Sequence, residues 1–127
     1  MLDSNVLIEI FDKNTDLGQK LINKIERTGE EIITSSVCIH EVLFGMVRYE
    51  EKLDAMAKLL GLNVLPYTKE DAVLSAKLEY YTEKMGVHIR KTDAMIAAIA
   101  INNKVRLYTV DKKHFHMLKS QGLELVE

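Results

Sequence analysis

With one cysteine, Cys38, the chain can form no disulfide within itself and no cysteine-rich zinc site. Proline occurs once, the six glycines are scattered, and there is neither an internal repeat nor a low-complexity tract, so nothing reads as a linker between domains. The longest apolar run, Ala94 to Ile101, is eight residues, far below the roughly 20 that a membrane span needs. Met1-Leu2-Asp3 places an acid where the basic region of a signal peptide belongs, so no such peptide is expected. These absences predict a soluble chain in a reducing, cytoplasmic setting.

What is present is the composition of a globular domain: 47% apolar and 28% charged residues over 127 positions, enough for one domain, 1–127, with its own core. A net charge of −2 argues against a protein that coats nucleic acid. Its distribution is uneven. From Lys84 to Lys119 eight basic residues stand against two acids, Asp93 and Asp111, a local balance of +6 that leaves −8 on the remainder. Isolated carboxylates in a basic segment suit a metal site facing a phosphate backbone, and equally a solvated basic face.

The glycines punctuate helices. Thr15-Asp16 can cap a helix carrying Leu17, Leu21, Ile22 and Ile25 on one face, with Gly29 after its end. Glu31 to Thr34 reads as a short strand. A helix capped by Ser35-Ser36 runs to about Arg48, and another runs from about Glu50 to Leu60. Asn63 to Tyr67 is a strand that Pro66 ends or confines to an edge. Thr68 and Asp71 form a capping pair for a helix with two apolar stripes, Ala72, Ala76 and Tyr80, and Leu74, Leu78, Tyr81 and Met85. One stripe serves the core and the other is open to a partner subunit. Thr92 caps the next helix, Asp93 to about Asn102, whose lack of a polar face buries it in the middle of the domain. Arg106 to Val110 and Leu123 to Val126 read as the last strands, with a short helix from Lys112 to Ser120 between them. Short strands alternating with helices predict an α/β fold on a mostly parallel sheet, where ligands bind outside the carboxyl ends of the strands.

Four acids fall at those ends or just beyond them. Asp3 follows a first-strand stub so short that an upstream start of the chain is open. Glu41 lies on the helix after the second strand, on the face of Val37 and Phe44, with Gly45 leaving space one turn later. Asp93 opens the buried helix, and Asp111 follows the strand ending in Val110. Each has an ordinary explanation: a cap, a boundary glutamate, a helix start, a turn. Together they repel, at about 4 kcal/mol per pair at 4 Å and an effective dielectric near 20. A hard divalent cation with oxygen ligands is the usual relief, and the usual helper of phosphate chemistry.

The segments D-S-N-V-L-I at Asp3, S-V-C-I-H-E-V-L-F-G around Glu41, K-T-D-A-M-I-A-A-I-A at Asp93 and L-Y-T-V-D-K-K-H-F at Asp111 together resemble the PIN domain, in particular the VapC-type toxins of prokaryotic toxin–antitoxin pairs. The resemblance spans nearly the whole chain in order and spacing. It implies an α/β/α sandwich and a Mg²⁺- or Mn²⁺-dependent ribonuclease, homodimeric and neutralised by a small VapB-type antitoxin. Asp3, Glu41, Asp93 and Asp111 match the family's acidic quartet as metal and catalytic residues, and Ser4, Asn5 and Thr109 its supporting polar positions. Arg90, Lys91, Lys112 and Lys113 flank the rim as RNA-phosphate contacts. His114 stands where the family frequently has an acid. The alternative is a catalytically inactive PIN-like module used for RNA binding or assembly.

Other readings fail on single positions. His40-Glu41 would need histidine at position 44 for a zinc protease motif, and Phe44 is there. A phosphoaspartyl hydrolase would need an acid at position 5, which is Asn5. Cys38 reads as a small buried residue, Met46, Met56, Met85 and Met95 as core filler, and His114 and His116 as ordinary surface or core histidines.

Overall fold

The computed structural model describes residues 1–13, 15–48 and 53–126. Its regular elements are α1 (Ser4–Leu7), α2 (Asp16–Thr28), β1 (Ile33–Ser35), α3 (Ser36–Arg48), α4 (Leu53–Leu60), β2 (Asn63–Leu65), α5 (Lys69–Lys84), α6 (Lys91–Asn102) and α7 (Lys112–His116). The expected start of the fourth helix at Glu50 lies outside the described residues.

Among the described residues only β1 and β2 pair as a regular ladder, parallel, with Ile33 opposite Asn63 and Ser35 opposite Leu65. Backbone hydrogen bonds carry the same parallel order further. Leu2 N–H donates to the Ile33 carbonyl at 2.7 Å, Tyr108 N–H to Met1 at 2.8 Å, and Leu107 N–H to Glu124 at 2.8 Å. Leu2 and Tyr108 bridge in parallel, as do Leu107 and Leu125. The order across is therefore β2, β1, the Met1–Asp3 stub, the Leu107–Tyr108 segment and Leu125. The α/β expectation holds, with strands shorter than the apolar runs suggest. Pro66 ends β2, as its missing N–H requires, and the 106–110 segment bridges at Leu107 and Tyr108, with the Met1 amino group donating to the Arg106 carbonyl at 2.7 Å.

Local chemistry accounts for the helix ends. Thr15 Oγ1 accepts from Gly18 N–H at 3.1 Å, and Gly29 at φ 67° closes α2 in the left-handed region. Thr68 and Asp71 form a reciprocal capping box on α5. The expected Thr92 cap does not form. Helix α6 begins two residues earlier, at Lys91, with no side-chain cap, and the Thr92 hydroxyl points to Glu41 instead. After Leu7 the first helix widens into a π-helical turn over Ile8–Asp12, which brings the Glu9 carbonyl against Gly18.

Helix α6 is the centre of the core: Ala94, Ile96, Ala97, Ala98, Ile99 and Ala100 are at most 1% exposed. Full burial of Ile96 and Ile99 contributes about 1.5–3 kcal/mol each. Against α6 packs α5, through Leu78 with Leu74 and Tyr81 partly buried. Its other stripe, Ala72, Ala76 and Tyr80, faces outward. Leu17 and Met85, both expected inside, are exposed because each sits at the end of its helix, beyond the reach of the core.

Candidate active site

The parallel strands end on one rim, and the first residue past the central stub is Asp3. Its backbone is held by the Tyr108 carbonyl at 2.9 Å. The extended conformation (φ −76°, ψ 160°) makes it the N-cap of α1, so one carboxylate oxygen accepts from Ser4 N–H at 2.8 Å. The other oxygen accepts from the Thr109 hydroxyl, also at 2.8 Å. Capping alone does not explain this side chain, which is 1% exposed. Burial pushes its carboxyl up from 3.8 to about 6. The Thr109 and Ser4 hydrogen bonds oppose that rise, and the charges of Asp93 and Glu41 add to it.

The neighbouring acids arrive from two helices. Glu41 on α3 accepts from the Ser4 hydroxyl at 3.1 Å on one oxygen. On the other it accepts from the Thr92 hydroxyl at 3.3 Å and faces an Arg90 nitrogen at 3.5 Å. Its side chain is 17% exposed, at a boundary between buried Val42 and exposed Phe44. Gly45 leaves open space on that face, as its position suggests. Asp93 is 1% exposed at the start of α6. Arg90 grips it with both prongs, Nε to one oxygen at 3.2 Å and Nη2 to the other at 2.9 Å.

Ser4 and Arg90 thus tie Asp3, Glu41 and Asp93 into one network. When all three are ionised they carry three negative charges against one guanidinium, an excess of two. Asp111 joins less directly. Its N–H donates to the Thr109 hydroxyl at 3.0 Å, while its half-buried carboxylate binds the His114 ring. Asn5 braces the same corner, donating to Thr109 Oγ1 at 3.2 Å and accepting from Val110 N–H at 3.3 Å. Lys91 leans on Glu79 at 3.7 Å, and Lys112 and Lys113 are exposed at the start of α7. Cys38 lies behind Asp3, its thiol pushed up to about 12 by burial first and by the Asp3 charge second.

Two contributions escaped sequence reasoning: the double engagement of Arg90 and the Thr92 hydroxyl on Glu41. The Arg90–Asp93 spacing of three at a helix start was the legible signal for the first. Nothing local could reveal the second. Asp71 is also buried, but the capping box and Asn102, at 2.8 Å, satisfy it structurally.

The donors suit a hard divalent cation: carboxylate oxygens in excess negative charge, with no histidine among the three converging acids. As arranged, however, no group of three or more His, Cys, Asp or Glu among the described residues is disposed to hold an ion. Arg90 takes both oxygens of Asp93.

Comparison with known proteins gives consistent matches. The family model described as PIN domain matches residues 1–119. Ribonuclease VapC1 of Methanocaldococcus jannaschii is 28% identical over 130 residues, spanning 100% of this chain and 86% of that protein. Among solved structures, VapBC2 from Rickettsia felis bound to a fragment of promoter DNA superposes with a TM-score of 0.82 at 22% identity. It covers 99% of this chain and 96% of that one. DNA-bound VapBC from Salmonella typhimurium gives 0.80 at 21%, covering 99% and 95%. These structures share the fold.

Proposed function

Because the chain belongs to the PIN domain family, we propose that it is a VapC-type toxin, an endoribonuclease that hydrolyses RNA phosphodiesters with Mg²⁺ or Mn²⁺. The observation that carries this reading is the meeting of Asp3, Glu41 and Asp93, from residues up to 90 positions apart, in one hydrogen-bonded network at the carboxyl ends of the strands. A divalent ion bound there would neutralise the excess charge and supply a water of lowered pKa.

The chain's own residues do the rest. Asp3 and Asp93 would hold the ion directly, with Asp111 beside them through its backbone N–H on Thr109. Glu41, held on one oxygen by Ser4 and on the other by Thr92, is fixed in orientation and can aim a nucleophilic water or bind the ion. Thr109 and Ser4 N–H keep the Asp3 oxygens from rotating, which fixes the geometry before substrate arrives. Lys112, Lys113, Lys91 and Arg90 supply positive charge for the phosphates on either side of the scissile bond. A VapB-type antitoxin and a second copy of the chain are the partners this reading brings, the latter seated on the outward stripe of α5. Among the described residues no helix is long and apolar enough to cross a membrane; cytoplasmic action on RNA is part of the proposal.

The test is cleavage of end-labelled RNA with Mn²⁺, with EDTA, and with the Asp93→Asn variant. Cleavage should need the metal and fall by at least a hundredfold in the variant. Activity that survives both treatments removes the metal-nuclease reading. Metal-dependent RNA binding without cleavage favours the inactive module instead.

A further inference from the structure

We propose that Arg90 is a resident counter-ion of the acidic site, which a divalent cation must displace to load. This inference rests on the metal-dependent reading above. Three observations support it. The guanidinium occupies both oxygens of Asp93 and also reaches Glu41, so it stands where cationic charge is needed. The other two acids are pinned by groups of the fold itself, Asp3 by Ser4 and Thr109, Glu41 by Ser4 and Thr92. Freeing Asp93 therefore requires one side chain to move. That side chain is 62% exposed and precedes α6, so it can swing into solvent without disturbing the core.

Charge gives the direction of exchange. One guanidinium leaves the three carboxylates two charges short of neutrality, whereas a divalent ion in its place leaves them one short. The planar fork of arginine matches the Asp93 carboxylate, and a lysine ammonium could not reproduce this two-point grip. Without Arg90 the acids would face one another uncompensated. With it, the site is held together in its unloaded state at the expense of metal affinity.

The experiment measures Mn²⁺ affinity by loss of the free-ion electron paramagnetic resonance signal at low ionic strength. Wild type, Arg90→Gln and Arg90→Lys are compared at pH 7.5. Because the guanidinium side of the pair is 62% exposed and so screened by water, its release should tighten Mn²⁺ binding about fivefold in Arg90→Gln. Arg90→Lys should fall between that variant and wild type. A merely structural Arg90 predicts the reverse, since a loosened site binds an ion more weakly. Equal or weaker binding by Arg90→Gln overturns the displacement idea and leaves the nuclease reading standing. Binding by none of the three proteins overturns both. A second measurement needs no variant to fold: the Arg90 Nε–H resonance of wild type should shift on Mg²⁺ saturation. A resonance that stays in place under saturating Mg²⁺ also refutes displacement.

Discussion

Asp3→Asn is the most informative single substitution, because the buried carboxyl it removes makes stability depend on pH in a definite direction. In the folded protein Asp3 holds its proton up to about pH 6, against 3.8 ordinarily. At low pH both folded and unfolded chains are protonated and the group is neutral in the balance. As pH rises from 4 to 6 the unfolded chain releases its proton first, so the folded state loses stability. Above pH 6 the full penalty is present, about 3 kcal/mol at roughly 1.4 kcal/mol per pH unit of displacement. Asparagine carries no such penalty. It does aim an amide at Thr109 Oγ1, which already accepts from Asp111 N–H and Asn5, and one poor hydrogen bond costs about 1–2 kcal/mol at any pH. The variant should therefore be less stable than wild type at pH 4 and more stable at pH 7.5, a swing of about 2–3 kcal/mol. Urea unfolding followed by circular dichroism, in EDTA, reads this directly. At about 3–5 °C per kcal/mol for a chain of this size, thermal melting would show it too. A difference between the two proteins that stays constant from pH 4 to 7.5 would refute the argument, and with it the claim that Asp3 is a desolvated, destabilising charge awaiting a cation.

Two further outcomes follow from the packing. Gly18→Ala would place a Cβ 2.3 Å from the Glu9 carbonyl oxygen and 2.8 Å from its carbon, both backbone. The clash should destabilise by about 2 kcal/mol or more in urea titration, despite the gain of about 1 kcal/mol in helix propensity; a neutral or stabilised variant would show that the π-helical turn yields freely. Cys38, fully buried with its thiol at about 12, should resist iodoacetamide in the folded protein and react at the ordinary rate in 6 M urea, as mass spectrometry can follow.

The large elements were legible because each rests on a signal that survives in a short window. The run from Ala94 to Ile101 has no polar face and is buried apart from half-buried Met95 and Ile101; Thr68 and Asp71 announce α5; Gly29 and Gly122 take the positive φ that helix ends demand. What was illegible depends on partners far along the chain. The stub at Met1–Asp3 becomes part of a sheet only through Ile33 and Tyr108. The π-helical turn at Ile8–Asp12 exists beside Gly18, and the V-L-I-E-I-F pattern alone reads as a plain helix. Thr92 has an obvious local role as a cap and is diverted to Glu41 instead. For the site, the acids could be named one by one from their places at strand and helix ends. Their differing circumstances could not: Asp3 sealed off from solvent, Asp93 clasped by Arg90, and Asp111 turned toward His114.

The hydrogen bond from Thr109 to Asp3 joins residues 106 positions apart. A chain still being synthesised therefore has nothing to complete this corner until residue 109 has left the ribosome. Premature termination or clipping between positions 94 and 105 yields a polypeptide that keeps Asp3, Glu41 and Asp93 but not the strand that braces the first of them. The braced form of the acidic corner waits on the arrival of residue 109.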